Sequence, residues 1–256
     1  MKLFYREAGE GRPMVILHGL FGSSDNWMSV TKALALTNNV YVLDARNHGQ
    51  SPHDDAFDYK AMAADLKEFL EEHAIKNPIL IGHSMGGKTI MRFAAEYPDI
   101  ASLLIVVDIS PRFYRRHHDD ILAGLNSIDI ETLKSRNDAD ASLAHYVGDI
   151  GVRQFLLKSL YRDADSTFQW RINLPVIQEK IDNIGEALPD DVMIDTPTLF
   201  IKGNLSGYIE EKDTFVIQQH FSNYEVKGVD GASHFVHSEK PEEVINLIHT
   251  FVNAHS

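Results

Sequence analysis

The sequence predicts an α/β fold in which helices flank a mostly parallel sheet and a helical cap is inserted into the chain. Short, apolar, β-branched runs alternate with helical patterns at both ends of the sequence. Such uninterrupted apolar runs are typical of parallel strands that are buried on both faces. The alternation stops after Asp108 and resumes near Thr198, which indicates an insertion between two strands of the core.

Each predicted element follows from its own pattern. The expected strands are residues 3–7, 15–17, 40–43, 79–81, 103–107, 198–201 and 225–229. The expected core helices are residues 59–73, 85–96, 213–220 and 242–254. The last of these has Pro241 at its first turn, Glu242 and Glu243 just inside, and apolar residues repeating on one face.

The insertion is expected to be helical. Residues 111–189 contain no convincing strand, but they do contain helical patterns at residues 119–126 and 152–161. A structureless loop of this length is improbable inside a compact domain. We therefore expect residues 1–110 and 190–256 to form the α/β core and residues 111–189 to form a cap, a kind of segment that commonly covers an active site.

The composition excludes several classes of protein. The 256 residues include no cysteine, which excludes disulfide scaffolds, thiolate metal sites and cysteine nucleophiles. The formal charge of −13 repels nucleic-acid phosphates, so no nucleic-acid partner is expected. The first residues lack the apolar stretch of a secretory signal, and the apolar runs are too short to span a bilayer. A cytoplasmic protein without a membrane span is expected.

The central motif is G-x-S-x-G at residues 82–86, between an expected strand and an expected helix. The two glycines allow the backbone to pass close to its neighbours in a strained turn, which lifts the Ser84 hydroxyl out at the edge of the sheet. The first N–H groups of the following helix are unpaired, and that of Met85 is placed to bind a developing oxyanion. We interpret Ser84 as a nucleophile.

Two further loops complete this pattern. Residues 18–22 (HGLFG) leave a strand in a turn that can present a second oxyanion donor, the N–H of Leu20 or of Phe21, while His18 braces the turn. Residues 231–237 (GASHFVH) follow the last expected strand and place His234 at the same sheet edge as Ser84, where a base is needed. His237 in the same loop is the weaker candidate.

Together these segments resemble the α/β-hydrolase superfamily. Residues 44–51 (DARNHGQS) are similar to its D-x-R-x-H-G-x-S loop. Residues 82–88 (GHSMGGK) and 107–111 (VDISP) are similar to small bacterial carboxylesterases of the YbfF type. The resemblance is strongest over residues 14–111 and 196–245 and weakest in the cap. It implies ester hydrolysis through an acyl-enzyme, with no cofactor and no metal.

The resemblance also bears on the catalytic acid. Most members of the superfamily carry an aspartate after the strand that follows the cap, but here residues 202–208 (KGNLSGY) contain no carboxylate. YbfF-type esterases have a serine in that loop, which implies that Asp108 is the acid and Ser206 an auxiliary polar group. The alternatives are that Asp108 only caps a helix or braces its loop, that Asp213 or Asp230 is the acid, and that Ser206 is a plain turn residue.

Substrate recognition is predicted from aromatic and basic residues. Phe21, Trp27, Phe113 and Phe235 are expected to line an apolar acyl pocket, although such aromatic side chains also serve as core. Residues 112–118 (RFYRRHH) carry three arginines and no acid. They form either a rim that attracts anionic groups such as acyl-CoA phosphates or a solvated helix start balanced by the aspartates that follow.

The expected function is a serine carboxylesterase acting on short- to medium-chain acyl esters or acyl-CoA thioesters, a small-molecule substrate. One alternative is a C–C bond hydrolase or elimination enzyme similar to the menaquinone-pathway synthase of the same fold, which normally keeps the acid that residues 202–208 lack. Another is a non-catalytic ligand-binding protein of the same fold. The presence of both Ser84 and His234 disfavours it.

Overall fold

Residues 1–255, which the computed structural model describes, form a seven-stranded sheet with helices on both faces and a small two-stranded sheet. The strands are β1 Tyr5–Ala8, β2 Arg12–Leu17, β3 Asn38–Leu43, β4 Ile79–His83, β5 Leu103–Val107, β6 Leu160–Arg162, β7 Phe168–Trp170, β8 Thr198–Gly203 and β9 Tyr224–Val229. The α-helices are α1 Met28–Leu34, α2 Tyr59–Glu72, α3 Met85–Glu96, α4 Asp119–Asn126, α5 Arg136–Leu143, α6 Ile150–Leu157, α7 Leu174–Lys180, α8 Asp213–His220, α9 Val236–Glu239 and α10 Pro241–Ala254. Short 3₁₀ helices cover Ser24–Trp27 and Ile181–Gly185.

The main sheet has the strand order β1-β3-β2-β4-β5-β8-β9, in which only the edge pair of β1 and β3 is antiparallel among the described residues. The strands β4, β5, β8 and β9 are therefore consecutive neighbours that run in one direction. The carboxyl ends of parallel strands meet at one edge of a sheet, which is where open α/β sheets bind ligands. The predicted α/β class with a mostly parallel sheet is confirmed.

Alternate residues of each central strand pack on opposite faces of the sheet. Val15 and Leu17 belong to one buried apolar cluster, whereas Met14 and Ile16 belong to another. Side chains along a strand point alternately to the two faces, so the two clusters are the two sides of the sheet. Both sides are covered, which explains why the strands read as continuous apolar runs in the sequence.

The inserted segment between β5 and β8 differs from the prediction in one region. The helix expected at residues 152–161 ends at Leu157, and β6 and β7 form a hairpin directly after it. The turn of this hairpin is organised by Asp163, whose carboxylate accepts the N–H groups of Asp165 and Thr167 at 3.0 and 2.9 Å. A short aspartate turn with Tyr161 before it and Phe168 and Trp170 after it is the signal that the helical interpretation missed.

An apolar cluster and a buried lysine are among the contacts that fix the insert to the rest of the chain. A third apolar cluster joins Leu20, Phe21 and Met85 to buried side chains of the inserted helices. The buried Lys88 ammonium donates to the carbonyls of Pro111 and Arg112, where the insert begins, and to that of Glu186, where it ends. Among residues 1–255, none of the helices combines the length and apolar character that crossing a bilayer requires.

Candidate active site

Ser84 occupies a sharp turn between β4 and α3. Its φ of 51° lies in the left-handed region, which is uncommon for a residue with a side chain. A Cβ on Gly82 would lie 2.3 Å from the Gly86 carbonyl oxygen, and one on Gly86 would lie 2.4 Å from that of Leu17. Both glycines are therefore needed for the turn, which explains the G-x-S-x-G spacing.

Ser84 opens into a narrow cavity of about 30 Å³, which we call the serine cavity. It lies between the sheet edge and the inserted segment, and its walls include Leu20, Met85, Ile109, Arg115, His118 and Tyr208. The Met85 N–H is the first of α3, so no preceding turn of the helix supplies an acceptor for it. One of the two predicted oxyanion donors therefore lies in the cavity wall beside Ser84.

The structure distinguishes between the two candidates for the second donor. The N–H of Phe21 donates to Nε2 of His48 at 3.1 Å, so it is occupied, and the prediction of Phe21 as a donor is corrected. The N–H of Leu20 takes part in no hydrogen bond within residues 1–255. Leu20 is therefore the residue of this loop that can offer its N–H to the serine cavity.

Two buried histidines hold the loop that carries Leu20. Nε2 of His18 accepts the N–H of Ala45 at 3.0 Å, as expected for a bracing side chain. His48 donates from Nδ1 to the Arg46 carbonyl at 2.9 Å while its Nε2 accepts from Phe21. Burial lowers the pKa of His48 to about 3, so this imidazole is neutral in the range where enzymes work.

Asp108 and His234 form the clearest polar pair of the sheet edge. Nδ1 of His234 donates to Oδ2 of the fully buried Asp108 at 2.8 Å. The other carboxylate oxygen, Oδ1, accepts the N–H of Gly203 at 3.0 Å. The Ser206 hydroxyl also donates to Oδ2. The loops after three neighbouring strands, β5, β8 and β9, thus supply one connected network.

The imidazole of His234 is positioned from several sides. The Tyr208 ring stacks on it with the centroids 3.9 Å apart and the planes 18° apart. His83 donates from Nε2 to the His234 carbonyl at 2.8 Å and lies beside the imidazole. Within the described residues, the Ser84 hydroxyl forms no hydrogen bond with His234, an arrangement common in sites without substrate.

The other candidate acids have different partners. The carboxylate of Asp213 lies 2.7 Å from Nε of Arg112 and accepts the N–H of Glu210. Asp230 accepts from the Asn204 side chain at 2.6 Å. His237, the weaker candidate for the base, is buried and stacks on Trp27 at 4.2 Å. Of these groups, only Asp108 and His234 are joined to each other.

Two of the four predicted pocket residues lie elsewhere. Trp27 is completely buried beneath the sheet edge in a core cluster, and Phe113 is 58% exposed, so both pocket predictions are wrong. Phe21 is buried in the cluster that joins its loop to the insert. Phe235 lines a wide groove of about 690 Å³ together with His234, Ser206 and Tyr208, which we call the histidine groove.

Residues 112–118 agree in part with each of the two predictions made for them, an anion-attracting rim and a helix start balanced by aspartates. Arg112 is paired with Asp213 and covers the Tyr114 ring at 3.8 Å, and Arg116 is paired with Asp119 at 2.6 Å. Arg115 lines the serine cavity and makes no ion pair within residues 1–255. Two of the three arginines are therefore neutralised locally, and the third remains available at the cavity.

The sequence did not single out Tyr208, His83 or Lys88 as site residues. Each belongs to a quoted motif or loop, but its contact depends on how a ring or a long side chain is oriented in space. The only indication in the sequence that these residues belong to the site is that each lies in or beside one of the quoted motifs. That signal does not separate a residue of the site from ordinary core.

Comparison with known proteins assigns this architecture to a family. The family described as the alpha/beta hydrolase fold matches residues 12–241. The chain belongs to the α/β-hydrolase family. Esterase YbfF of Escherichia coli (strain K12) is 37% identical to this α/β hydrolase over 244 residues, which cover 94% of this chain and 93% of that protein.

Two further matches agree with this assignment. The sn-1-specific diacylglycerol lipase ABHD11 of Xenopus laevis is 37% identical to this α/β hydrolase over 252 residues, which cover 95% of this chain and 80% of that protein. A solved structure described as a marine microorganism esterase has a TM-score of 0.95 at 40% identity and covers 98% of this chain and 99% of its own. The YbfF-type resemblance predicted from the motifs is confirmed.

Proposed function

We propose that this α/β hydrolase is a serine esterase that uses Ser84 as nucleophile, His234 as general base and Asp108 as the acid that orients the imidazole. The observation that carries the proposal is the hydrogen bond from His234 to the buried Asp108 at the sheet edge where Ser84 opens into a cavity. The names of the relatives, esterases and a lipase, support an ester as the bond that is broken.

The chemistry follows from these positions. Nε2 of His234 takes the Ser84 proton as Oγ attacks the acyl carbon, which gives a tetrahedral intermediate and an imidazolium. The Asp108 carboxylate fixes the Nδ1–H tautomer and stabilises the imidazolium charge. His234 then protonates the leaving alcohol or thiol, and water repeats the sequence to release the acid and free Ser84.

The oxyanion is bound by backbone N–H groups from two elements. Met85 contributes the first N–H of α3, and Leu20 contributes the free N–H of the loop that His18 and His48 hold. An oxyanion-hole donor contributes about 3 kcal/mol to transition-state binding. Neither group needs to move to meet the charge, because each belongs to a backbone fixed by hydrogen bonds.

The substrate class proposed is a short- to medium-chain acyl ester or an acyl-CoA thioester. The narrow serine cavity, walled in part by the apolar Leu20, Met85 and Ile109, admits at most a small acyl group, and residues 111–189 act as a cap over it. The unpaired Arg115 in its wall can attract an anionic leaving group such as the phosphates of coenzyme A. The wide histidine groove offers room for the remainder of such a molecule.

The decisive experiment uses p-nitrophenyl esters and acyl-CoA thioesters of graded chain length with the wild type and Ser84→Ala. We expect wild-type turnover with an optimum at short to medium chains and loss of at least about 1000-fold in the variant. A fluorophosphonate probe should label wild-type Ser84. Ser222→Ala, which alters an exposed serine that donates to Asp195, is the matched control. Full activity in Ser84→Ala, or an unlabelled wild type, would overturn the proposal.

A further inference from the structure

Tyr208 lies flat on the imidazole of His234. The ring centroids are 3.9 Å apart and the planes are 18° apart. The tyrosine also forms part of the wall of both the serine cavity and the histidine groove. Tyr208 therefore separates the two spaces and covers one face of the imidazole.

The Tyr208 ring is fixed at its far end by the inserted segment. Its hydroxyl donates to Nε2 of His117 at 2.6 Å. Nδ1 of His117 donates to the Arg115 carbonyl at 2.9 Å, so the nitrogen that faces Tyr208 is the acceptor. The ring orientation is therefore set by a residue of the insert.

The Tyr208 backbone is fixed as well. Its N–H donates to the Ser206 hydroxyl at 3.2 Å, and its carbonyl accepts the Tyr114 hydroxyl. Ser206 in turn donates to Asp108, the hydrogen-bond partner of His234. Both the backbone and the ring of Tyr208 are thus connected to the network around the imidazole.

We propose that Tyr208 is a positioning residue for the esterase reaction, held by His117, whose aromatic face orients His234 and stabilises its protonated form. This inference rests on the proposed function, because it assumes that His234 becomes an imidazolium during turnover. The negative face of an aromatic ring attracts a cation within about 6 Å of its centroid. The stacking distance lies well inside that limit.

The titratable and charged groups around His234 are Asp108, His83, His118 and His237, the groove residues Asp149, Lys158 and Glu239, and His117 at the far end of Tyr208. Burial lowers the pKa of His83 well below its usual value and lowers those of His118 and His237 to about 3. His83, His118 and His237 are therefore neutral where an esterase is assayed. Tyr208→Phe loses only the bond to His117, whereas Tyr208→Leu also loses the aromatic face, so the difference between their pH profiles reports the effect of the face on His234.

The first test compares pH profiles of kcat/KM for p-nitrophenyl acetate. In Tyr208→Leu, which keeps an apolar cover but removes the aromatic face, we expect the acidic midpoint to move down by about half a pH unit or more. Tyr208→Phe keeps the face and should keep the wild-type midpoint. Tyr146→Leu replaces an exposed tyrosine of the insert and is the control for general effects of the substitution.

The second test is a double-mutant cycle of Tyr208→Phe and His117→Leu. Each single variant should lower kcat by about 3- to 10-fold, and the double variant should lower it by no more than either alone, because both remove the same hydrogen bond. Unfolding midpoints of all variants identify any that do not fold. Additive losses in folded variants would overturn the role of His117.

The outcomes separate the two proposals. A wild type that fails to hydrolyse esters would overturn the proposed function together with this inference. A wild type that is active and labelled at Ser84, with a Tyr208→Leu profile that superposes on it, would overturn only the role of Tyr208. A lower acidic midpoint in Tyr208→Leu but not in Tyr208→Phe supports the inference.

Discussion

Ser84 and Asp108 both have left-handed backbone, with φ values of 51° and 52°. Such a conformation costs about 1–3 kcal/mol for a residue with a side chain and persists where the surroundings enforce it. Here the N–H of Ser84 donates to the Val107 carbonyl at 3.0 Å, and that of Asp108 donates to the Ile201 carbonyl at 2.8 Å. Neighbouring strands therefore hold the proposed nucleophile, Ser84, and the proposed acid, Asp108, in strained turns at the same sheet edge.

The contribution of Ser206 can be measured separately from that of Asp108. Ser206→Ala removes one donor to the carboxylate but leaves those from His234 and Gly203. We expect kcat to fall by about 10-fold with little change in KM, because the lost bond acts on the orientation of the pair. Steady-state kinetics with a neutral ester measure this effect, and Ser222→Ala again serves as control. A wild-type kcat would mean that Ser206 is a plain turn residue.

His48 is expected to affect turnover without touching the substrate. In His48→Leu the N–H of Phe21 loses its acceptor, so the loop that carries Leu20 is released. We expect kcat to fall by about 10- to 100-fold, since a misplaced oxyanion donor stabilises the transition state poorly. His220→Leu, which alters a buried histidine that bonds the Val192 carbonyl, is the comparison for stability. Equal kcat in the two variants would contradict the role of His48.

At the residue scale, a short motif predicts which residues end a strand at the site, but not where a side chain points. Ser84 and His234 were predicted from motifs at the carboxyl ends of strands and Asp108 from the resemblance to YbfF-type esterases, and the structure brings Asp108 and His234 into contact. Trp27 and Phe113 were misassigned because side-chain direction depends on packing that no local pattern encodes. For Leu20 and Phe21 the choice depended on one hydrogen bond to a residue 27 positions further along the chain.

At the element scale, Lys88 connects α3 to the insert. It lies one turn after Ser84, and its ammonium donates to the carbonyls of Arg112 and Glu186, the latter at 2.6 Å. The side chain is almost completely buried. Burial, reinforced by the positive charge of Arg112, lowers the pKa of Lys88 to about 7. A single side chain thus ties the nucleophile helix to both ends of the inserted segment.

Replacing Lys88 should destabilise the protein in a pH-dependent way. Lys88→Met leaves buried carbonyls without a donor, at a cost of about 2–4 kcal/mol in the free energy of unfolding. In the unfolded chain the lysine keeps its proton up to a pH of about 10, whereas in the folded protein it loses the proton above a pH of about 7. Between these pH values the unfolded wild type therefore binds more protons than the folded wild type, so the free energy of unfolding of the wild type rises with pH. Urea titrations from about pH 7 to about pH 9 should show the advantage of wild type over Lys88→Met increasing. A pH-independent difference would mean that the buried lysine stays charged.

The elements themselves were predictable to different degrees. The parallel strands and α2, α3 and α10 follow from apolar runs, caps and helical periodicity. The hairpin of β6 and β7 was missed because each strand is only three residues long, too short for an alternating pattern to show. In addition, Arg136 donates to the carbonyls of Leu157 and Leu160, a long-range contact at the end of α6 that the sequence does not reveal.

At the scale of the whole molecule, charge acts in two opposing ways. The chain carries a formal charge of −13, whereas the serine cavity exposes the unpaired Arg115. An anionic substrate is repelled at long range and attracted at the cavity. Salt screens exposed charges beyond a Debye length of about 10 Å at 0.1 M, so ionic strength tests which contribution dominates.

We expect the local attraction to dominate for acyl-CoA. Raising NaCl from about 50 to about 300 mM should lower kcat/KM for butyryl-CoA several-fold and leave that for p-nitrophenyl butyrate nearly unchanged. In Arg115→Gln the dependence should reverse, because only the repulsion by the net negative charge remains to be screened. Parallel salt curves for the two variants would show that Arg115 does not recognise the anion.

Asp108 and Ser206 come from adjacent strands, and their side chains touch. In the sequence they stand on opposite sides of the insert, yet in space one hydrogen bond separates them. Because the Ser206 hydroxyl contacts the carboxylate that His234 binds, a carboxylate at either position would lie close to the imidazole. A carboxylate partner for the imidazole can therefore be supplied from the end of either of two neighbouring strands.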